Sequence, residues 1–253
     1  MTGEFLGMPE PRRAVVPPPR SPTGGLSQRA SALSARREPY VMATVVRAAR
    51  PTSAKAGDRA LVLADGTIEG FVGGHCALAA VRTQGLRLLT RGSSTLLRIT
   101  PEAAEPYEEE GLVAVGQPCL SGGTLEIFLE AVIPPMLVLV YGQGPIAQAL
   151  GTVGTALGYA AELTEDPLAP IAPDTAAVIV ASHGVSEIPI LSRAIEARVP
   201  YIGLIASRKR GTALLAGIPG SEAVHSPAGL DLGARTPAEI ALTVYAEVLA
   251  SRM

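Results

Sequence analysis

The chain has 253 residues, 47% of them hydrophobic and 17% charged, with a net charge of −2. That is enough apolar material for one large or two modest cores. With no tryptophan, 4% aromatics and scattered basic residues, it lacks the stacking platform and cationic face of a nucleic-acid binder.

Residues 1–25 hold six prolines and no apolar segment of a secretory signal. They read as a disordered tail, and the cytoplasm is the expected address. No stretch of about 18 residues is apolar throughout, so no membrane span is expected. The next residues, 26–37, are rich in Ala, Ser, Leu and Arg and predict a short helix. Tyr40–Ala48 is rich in β-branched residues and predicts a strand. Two further strands, 59–63 and 67–72, flank Asp65-Gly66, a hairpin turn signal that needs positive φ. Residues 76–90 carry Leu78, Val81, Leu86 and Leu89 at roughly helical spacing. Strands are expected at 96–99, 112–115 and 124–132. Between the first two, residues 102–110 hold five glutamates and read as an acidic, solvated loop.

The pattern changes at Pro134-Pro135. Strand and helix signals then alternate, as parallel βαβ units require. Strands are expected at 136–141, 160–163, 176–181 and 201–205. Helices are expected at 146–157, 187–198 and 208–215. Thr236, Pro237 and Glu239 announce a last helix, through a capping box with proline at its first position. Its expected buried stripe is Ile240, Val244, Val248 and Leu249. The fold class is therefore α/β: a C-terminal Rossmann-like doubly wound parallel sheet, 135–253, preceded by a mixed, mostly β α+β domain, 26–134.

Gly142-Gln143-Gly144-Pro145-Ile146-Ala147 reads G-x-G-x-x-A between a buried strand and a helix, the context that gives such a motif meaning. Gly142 permits the tight turn, Gly144 lets backbone approach a phosphate, and Ala147 allows close helix–strand packing. The helix start offers N–H groups to an anion. Glu165, near the end of the next strand, is placed to bind a ribose diol. A tight strand–helix connection without a ligand would use the same glycines.

Gly73-Gly74-His75-Cys76 ends a strand and opens a helix, where a thiolate is stabilised and becomes a soft ligand or nucleophile. Cys119 lies before a second pair, Gly122-Gly123. Two single cysteines, each near a glycine pair, suggest one shared site; small buried hydrophobes would look the same. Two cysteines are too few for a disulfide scaffold, and with no C-x-x-C pair or histidine cluster no structural zinc site is expected. In the second half His183, in Ser182-His183-Gly184, follows a strand whose carboxyl end should line a ligand crevice. His225 reads as structural or rim. Ser207 and Arg208 open the run Ser-Arg-Lys-Arg, a candidate anion-binding helix start. No nucleophile elbow or Ser-His-Asp spacing points to a hydrolase.

At these residues the sequence resembles the XdhC/CoxI family, the accessory proteins of xanthine dehydrogenase and carbon monoxide dehydrogenase. The resemblance runs through Ala43-Thr44-Val45-Val46, the Asp65-Gly66 turn, Gly73-Gly74 with Cys76, Pro118-Cys119 and Gly122-Gly123. It continues through the glycine turn, Tyr201-Ile202-Gly203-Leu204 with Ser207-Arg208, and the specific stretch from Pro227 to Ile240. Departures are Pro145, Ser182-His183-Gly184, Ala77-Leu78 and Glu165-Asp166-Pro167, where the family usually carries other residues. Membership implies a two-domain protein, often dimeric, that binds the molybdenum cofactor. It would favour the sulfurated form and deliver it to a molybdenum hydroxylase, with a cysteine desulfurase and the client apo-enzyme as partners. Cys76 and Cys119 are the residues the resemblance places against that cofactor. Two other functions compete on the residues alone: an NAD(P)-dependent oxidoreductase using the glycine turn, and a redox- or nucleotide-sensing interaction protein using the acidic loop and tail.

Overall fold

A computed structural model describes residues 23–102, 105–116 and 122–252. The expected tail lies outside the described residues, apart from its last three positions. Those belong to the first helix, α1 (Thr23–Ala35), which starts earlier than its composition signals. The chain divides into two compact units between Pro134 and Pro135. Among the described residues no helix is long and apolar enough to cross a membrane.

The first unit is built on a seven-stranded sheet, counted among the described residues. Its strands are β1 (Tyr40–Ala49), β2 (Arg59–Leu63), β3 (Ile68–Gly70), β4 (Thr95–Thr100), β5 (Tyr107–Glu109), β6 (Leu112–Gly116) and β7 (Thr124–Val132), in the order β3-β2-β1-β7-β4-β6-β5. All neighbours are antiparallel except β4 and β6. Alternation along β1 and β2 sorts the side chains. Val41, Ala43, Ala60 and Val62 face the core under α2 (His75–Arg91). Tyr40 and Leu61 face α1, where Leu26, Ala30 and Leu33 cover them. The β2–β3 hairpin turns at Gly66, φ +80°, with Asp65 accepting the Thr67 N–H at 2.8 Å.

Two sequence expectations need correction here. The acidic stretch is not all loop: Tyr107–Glu109 pairs with β6 as an edge strand, and Glu108 meets Arg87 and Arg91 at 3.2 and 2.7 Å. On α2 the buried face is Ala77, Ala80, Val81, Gln84, Gly85 and Leu88, whereas Leu86 is exposed. The cause is close packing at Gly85, where a Cβ would stand 3.1 Å from Val62. Small residues turn inward and the larger leucine turns out.

The second unit holds five parallel strands among the described residues: β8 (Leu137–Tyr141), β9 (Ala160–Thr164), β10 (Thr175–Val180), β11 (Tyr201–Leu204) and β12 (Val224–His225). They lie in the order β12-β11-β10-β8-β9. Both faces are covered, which explains the continuous apolar runs. Val138, Val140, Ala177 and Ile179 pack under α3 (Pro145–Ala156) and α6 (Pro237–Ala250). Leu139, Tyr141, Val178 and Val180 pack under α4 (Glu187–Glu196), with α5 (Arg208–Leu215) at that cluster's rim. The capping box forms as expected: Glu239 N–H donates to Thr236, and Glu239 accepts from the Thr236 N–H. The α6 stripe shifts, however, to Ala241, Val244, Tyr245 and Val248, and Leu249 is exposed. Tyr245 decides this, because its hydroxyl donates to the Leu150 carbonyl at 2.8 Å and locks α6 against α3.

Candidate functional site

Outward from β9, the five-stranded sheet runs second, first, third, fourth, fifth in chain order. The order reverses between β8 and β10, and such a switch point opens a crevice at the carboxyl ends of the strands. A cleft of about 180 Å³ lies there, lined by Tyr141, Gly142, Gln143, Gly144, Thr164, Glu165 and Ser182 to His183. Four residues singled out from the sequence, Gly142, Gly144, Glu165 and His183, therefore meet in one cavity.

The two glycines have different reasons to be there. Gly142 sits at φ +133°, and a Cβ on it would stand 2.5 Å from the Ala181 carbonyl oxygen. Gly144 has ordinary N-cap geometry, φ −67°, and a Cβ there would meet the His183 ring at 3.0 Å. Gly144, the N-cap of α3, has no side chain to cap the helix, and it lines the cleft at the helix start. Pro145 occupies the first helical position, where an N–H has no intrahelical partner in any case. Ala147 is fully buried in the core cluster under α3.

His183 occupies the left-handed region, φ +53°, followed by Gly184 at +101° and Ser186 at +52°. This costly turn is tied from below by Glu187, whose side chain is 1% exposed. Its Oε1 accepts the Gly184 N–H at 2.9 Å and a hydrogen bond from Arg210 Nη2, while Oε2 is buried with no partner among the described residues. A second cleft, about 430 Å³, adjoins through His183 and is lined by Ser207, Arg210, Pro227, Ala228 and Ile240. Ser207 caps α5 by accepting from the Arg210 N–H. Arg208 lines instead a third cleft with Asp231, its partner at 3.4 Å.

The signature stretch after Pro227 is held by Glu247 of α6. This carboxylate accepts the Tyr201 hydroxyl at 2.7 Å and the Gly229 N–H at 2.7 Å, and lies 3.1 Å from His225 Nδ1. Burial pushes Glu247 up, but the bonds from Tyr201, Gly229 and His225 outweigh it and hold the carboxyl below its usual range. The Tyr201 and His225 rings stack at 4.7 Å. Burial and the Glu247 carboxylate together raise the Tyr201 phenol far above its ordinary value.

In the first unit, Gly73, Gly74, His75 and Cys76 form the start of α2, with Gly74 as N-cap. His75 is exposed and Cys76 half-buried. A Cβ on Gly73, φ +135°, would meet Ala77 at 2.9 Å and Leu125 at 3.2 Å. One on Gly123 would run into the carbonyl oxygens of Pro51 and Ala49. Leu125 belongs to β7, two residues after Gly123, and Ala54 lies 3.8 Å from the same Gly73 position. The two glycine pairs thus gather at one end of the sheet, around a loop of residues 50–55 that sequence reasoning passed over. Cys119 lies outside the described residues.

Sequence reasoning also missed Glu187, Arg210 and Glu247. An acid opening an apolar helix looks like an ordinary dipole partner, and the basic run drew attention to its start at Arg208.

Both units match known families. Residues 138–248 match the XdhC Rossmann domain and residues 33–100 match the XdhC and CoxI family. The chain belongs to the XdhC/CoxI family. It is 27% identical over 245 residues to the protein YqeB of Escherichia coli K12, covering 83% of this chain and 43% of that one. It is 27% identical over 154 residues to a probable xanthine dehydrogenase subunit of Bacillus subtilis 168, covering 51% and 47%. The chain thus spans less than half the length of these two relatives. The molybdenum cofactor insertion chaperone PaoD of Escherichia coli K12 is 24% identical over 258 residues, covering 81% of this chain and 80% of its own. A crystal structure described as a xanthine dehydrogenase from Bacillus halodurans is 18% identical, covers 89% of this chain and 96% of its own, and superposes with a TM-score of 0.44.

Proposed function

We propose that this chain binds the molybdenum cofactor and assists its maturation and insertion into a molybdenum hydroxylase of the xanthine dehydrogenase or carbon monoxide dehydrogenase type. The observation that carries the reading is the similarity to PaoD, a named insertion chaperone, along about four-fifths of both chains. The cofactor here is cargo. The chemistry of the two glycine-rich regions suits it. The first unit offers the Cys76 thiol at a helix start, where a thiolate is stabilised and a soft dithiolene–molybdenum centre finds a matched ligand. Cys119 is the second cysteine in this reading. The second unit offers a helix start behind a glycine N-cap, and a glycine turn, for a phosphate.

In this reading the sulfurated form is the cargo, a cysteine desulfurase is its upstream partner, and the apo-hydroxylase is the recipient. The chain acts in the cytoplasm as a homodimer and turns nothing over alone. The test is anaerobic co-purification with molybdenum cofactor, read by metal and by oxidised-pterin fluorescence, with Cys76→Ser and Cys119→Ser alongside. Near-stoichiometric cofactor that falls in both variants is the expected result; cofactor-free protein at micromolar concentration would overturn the reading.

One observation favours a second reading. Gly142, Gly144 and Glu165 line one cleft, the arrangement that takes a dinucleotide phosphate and ribose. An NAD(P)-dependent oxidoreductase would bind its nucleotide there, and a calorimetric titration with NAD and NADP showing no heat would remove it.

A further inference from the structure

We propose that the cleft between His183 and Arg210 is a second, phosphoryl-binding subsite of the C-terminal unit, with Arg210 and not Arg208 as its cation. The proposal rests on the reading that the crevice of this unit holds a phosphate-bearing ligand.

The cleft is a cavity lined by His183, Ser207, Arg210, Pro227, Ala228 and Ile240. It is larger than the one at the glycine turn, about 430 against 180 Å³, and His183 lines both. A ligand seated on the glycine turn and extending past His183 enters this second space. What it meets there is built, not accidental. Arg210 spends one Nη on the Glu187 carboxylate, and Glu187 is itself 1% exposed while Arg210 is 37% exposed. A guanidinium carries five N–H donors in a rigid fork. Held at one corner by a buried acid, it keeps donors for the cleft that it lines. Such a fork suits the geometry of a phosphoryl group.

The same carboxylate also accepts the Gly184 N–H. Glu187 therefore fixes Arg210 and the left-handed His183 turn in one stroke. Strained turns of this kind persist where the surroundings over-determine them, and they gather at ligand clamps. Ser207 adds a hydroxyl at the rim of the cleft. Arg208, by contrast, does not line this cleft; it lines another, beside Asp231 at 3.4 Å.

The chain has three histidines, so the His183 imidazole can be followed by NMR and assigned with His183→Gln. The full chain is titrated with inorganic pyrophosphate and, in parallel, with adenosine 5′-phosphate, which distinguishes a free phosphoryl group from a nucleotide's. Arg210→Lys keeps the charge. Glu187→Gln with Arg210→Gln neutralises the pair together, so no buried charge is stranded, and its Tm is compared with that of the wild type. A saturable His183 shift with either probe is expected in the wild type. It should weaken several-fold in Arg210→Lys, weaken at least tenfold in the double variant, and persist in Arg208→Gln. No shift in the wild type, or a shift lost in Arg208→Gln and kept in the double variant, overturns the subsite. Cofactor retention is measured on the same samples. A cofactor-free wild type that still shows the Arg210-dependent shift leaves the subsite standing while the maturation reading falls. Retention with no shift does the reverse.

Discussion

The Nε2 atom of His183 lies 3.0 Å from where a Cβ on Gly144 would stand. Gly144 has backbone angles open to any residue, φ −67° and ψ 173°, so only the imidazole opposes a side chain there. Gly144→Ala should therefore cost under about 1 kcal/mol of stability, as a substitution relieved by one side-chain shift does. It should still move His183, which lines both clefts. Chemical denaturation with the His183 NMR signal separates these effects; an unmoved imidazole would show that the ring does not bear on the turn.

Gly142→Ala is the harsher change in the same motif. It combines φ +133° with a carbonyl oxygen 2.5 Å from the new atom. Strain of this kind costs about 1–3 kcal/mol even without a clash. Gly142→Ala should thus lose clearly more stability than Gly144→Ala, compared by their midpoints in one denaturant. Equal losses would mean that the turn relaxes at Gly142.

The first glycine pair divides the same way. Gly73 is held by φ +135° and by Ala77, but nothing lies within 4 Å of a Cβ on Gly74. Gly74 is the N-cap of α2 in extended backbone, a position that asparagine favours. Gly74→Asn should leave Tm unchanged or slightly raised. If ligand backbone contact is the reason for that glycine, the variant should lose bound molybdenum cofactor all the same. Full retention would assign Gly74 no part in binding.

Glu247 predicts a pH dependence. Its folded carboxyl is held below the ordinary glutamate value of 4.5. A depressed acid contributes stability that is present above its unfolded pKa and lost as pH falls through the folded one. Glu247→Gln should therefore be less stable than the wild type at pH 7, with the gap closing below about pH 4.5. The groups facing Glu247 are the His225 ring, the Tyr201 hydroxyl and the Gly229 N–H. Melting curves from about pH 7 down to about pH 3.5 check this; a constant gap would show that the carboxylate is not the titrating group.

Much of the second unit was legible because its continuous apolar runs and helical signals are long and separated by strong punctuation. Met136 to Tyr141, the glycine turn and the Thr236 capping box each combine pattern with a specific turn or cap. Ends were less legible: β12 is two residues long, and its single pairing depends on β11 being in place. In the first unit, β5 is three exposed residues with two glutamates, so its strand character comes from β6 and not from its own composition. The α2 and α6 faces were shifted for a packing reason. Gly85 against Val62 and Tyr245 against Leu150 set which side turns inward, and neither contact is local in sequence. Of the site, the glycines and His183 were visible because backbone geometry advertises them. Glu187, Arg210 and Glu247 were not, because each acts by joining segments far apart in the chain.

The seven-stranded sheet closes at both margins with strands of only three residues, β3 and β5. Short margins, one of them bristling with carboxylates, give a neighbouring chain little backbone to zip onto. Edge-to-edge stacking of this sheet into fibres is thereby disfavoured, because neither margin offers a long run of unpaired N–H and C=O groups.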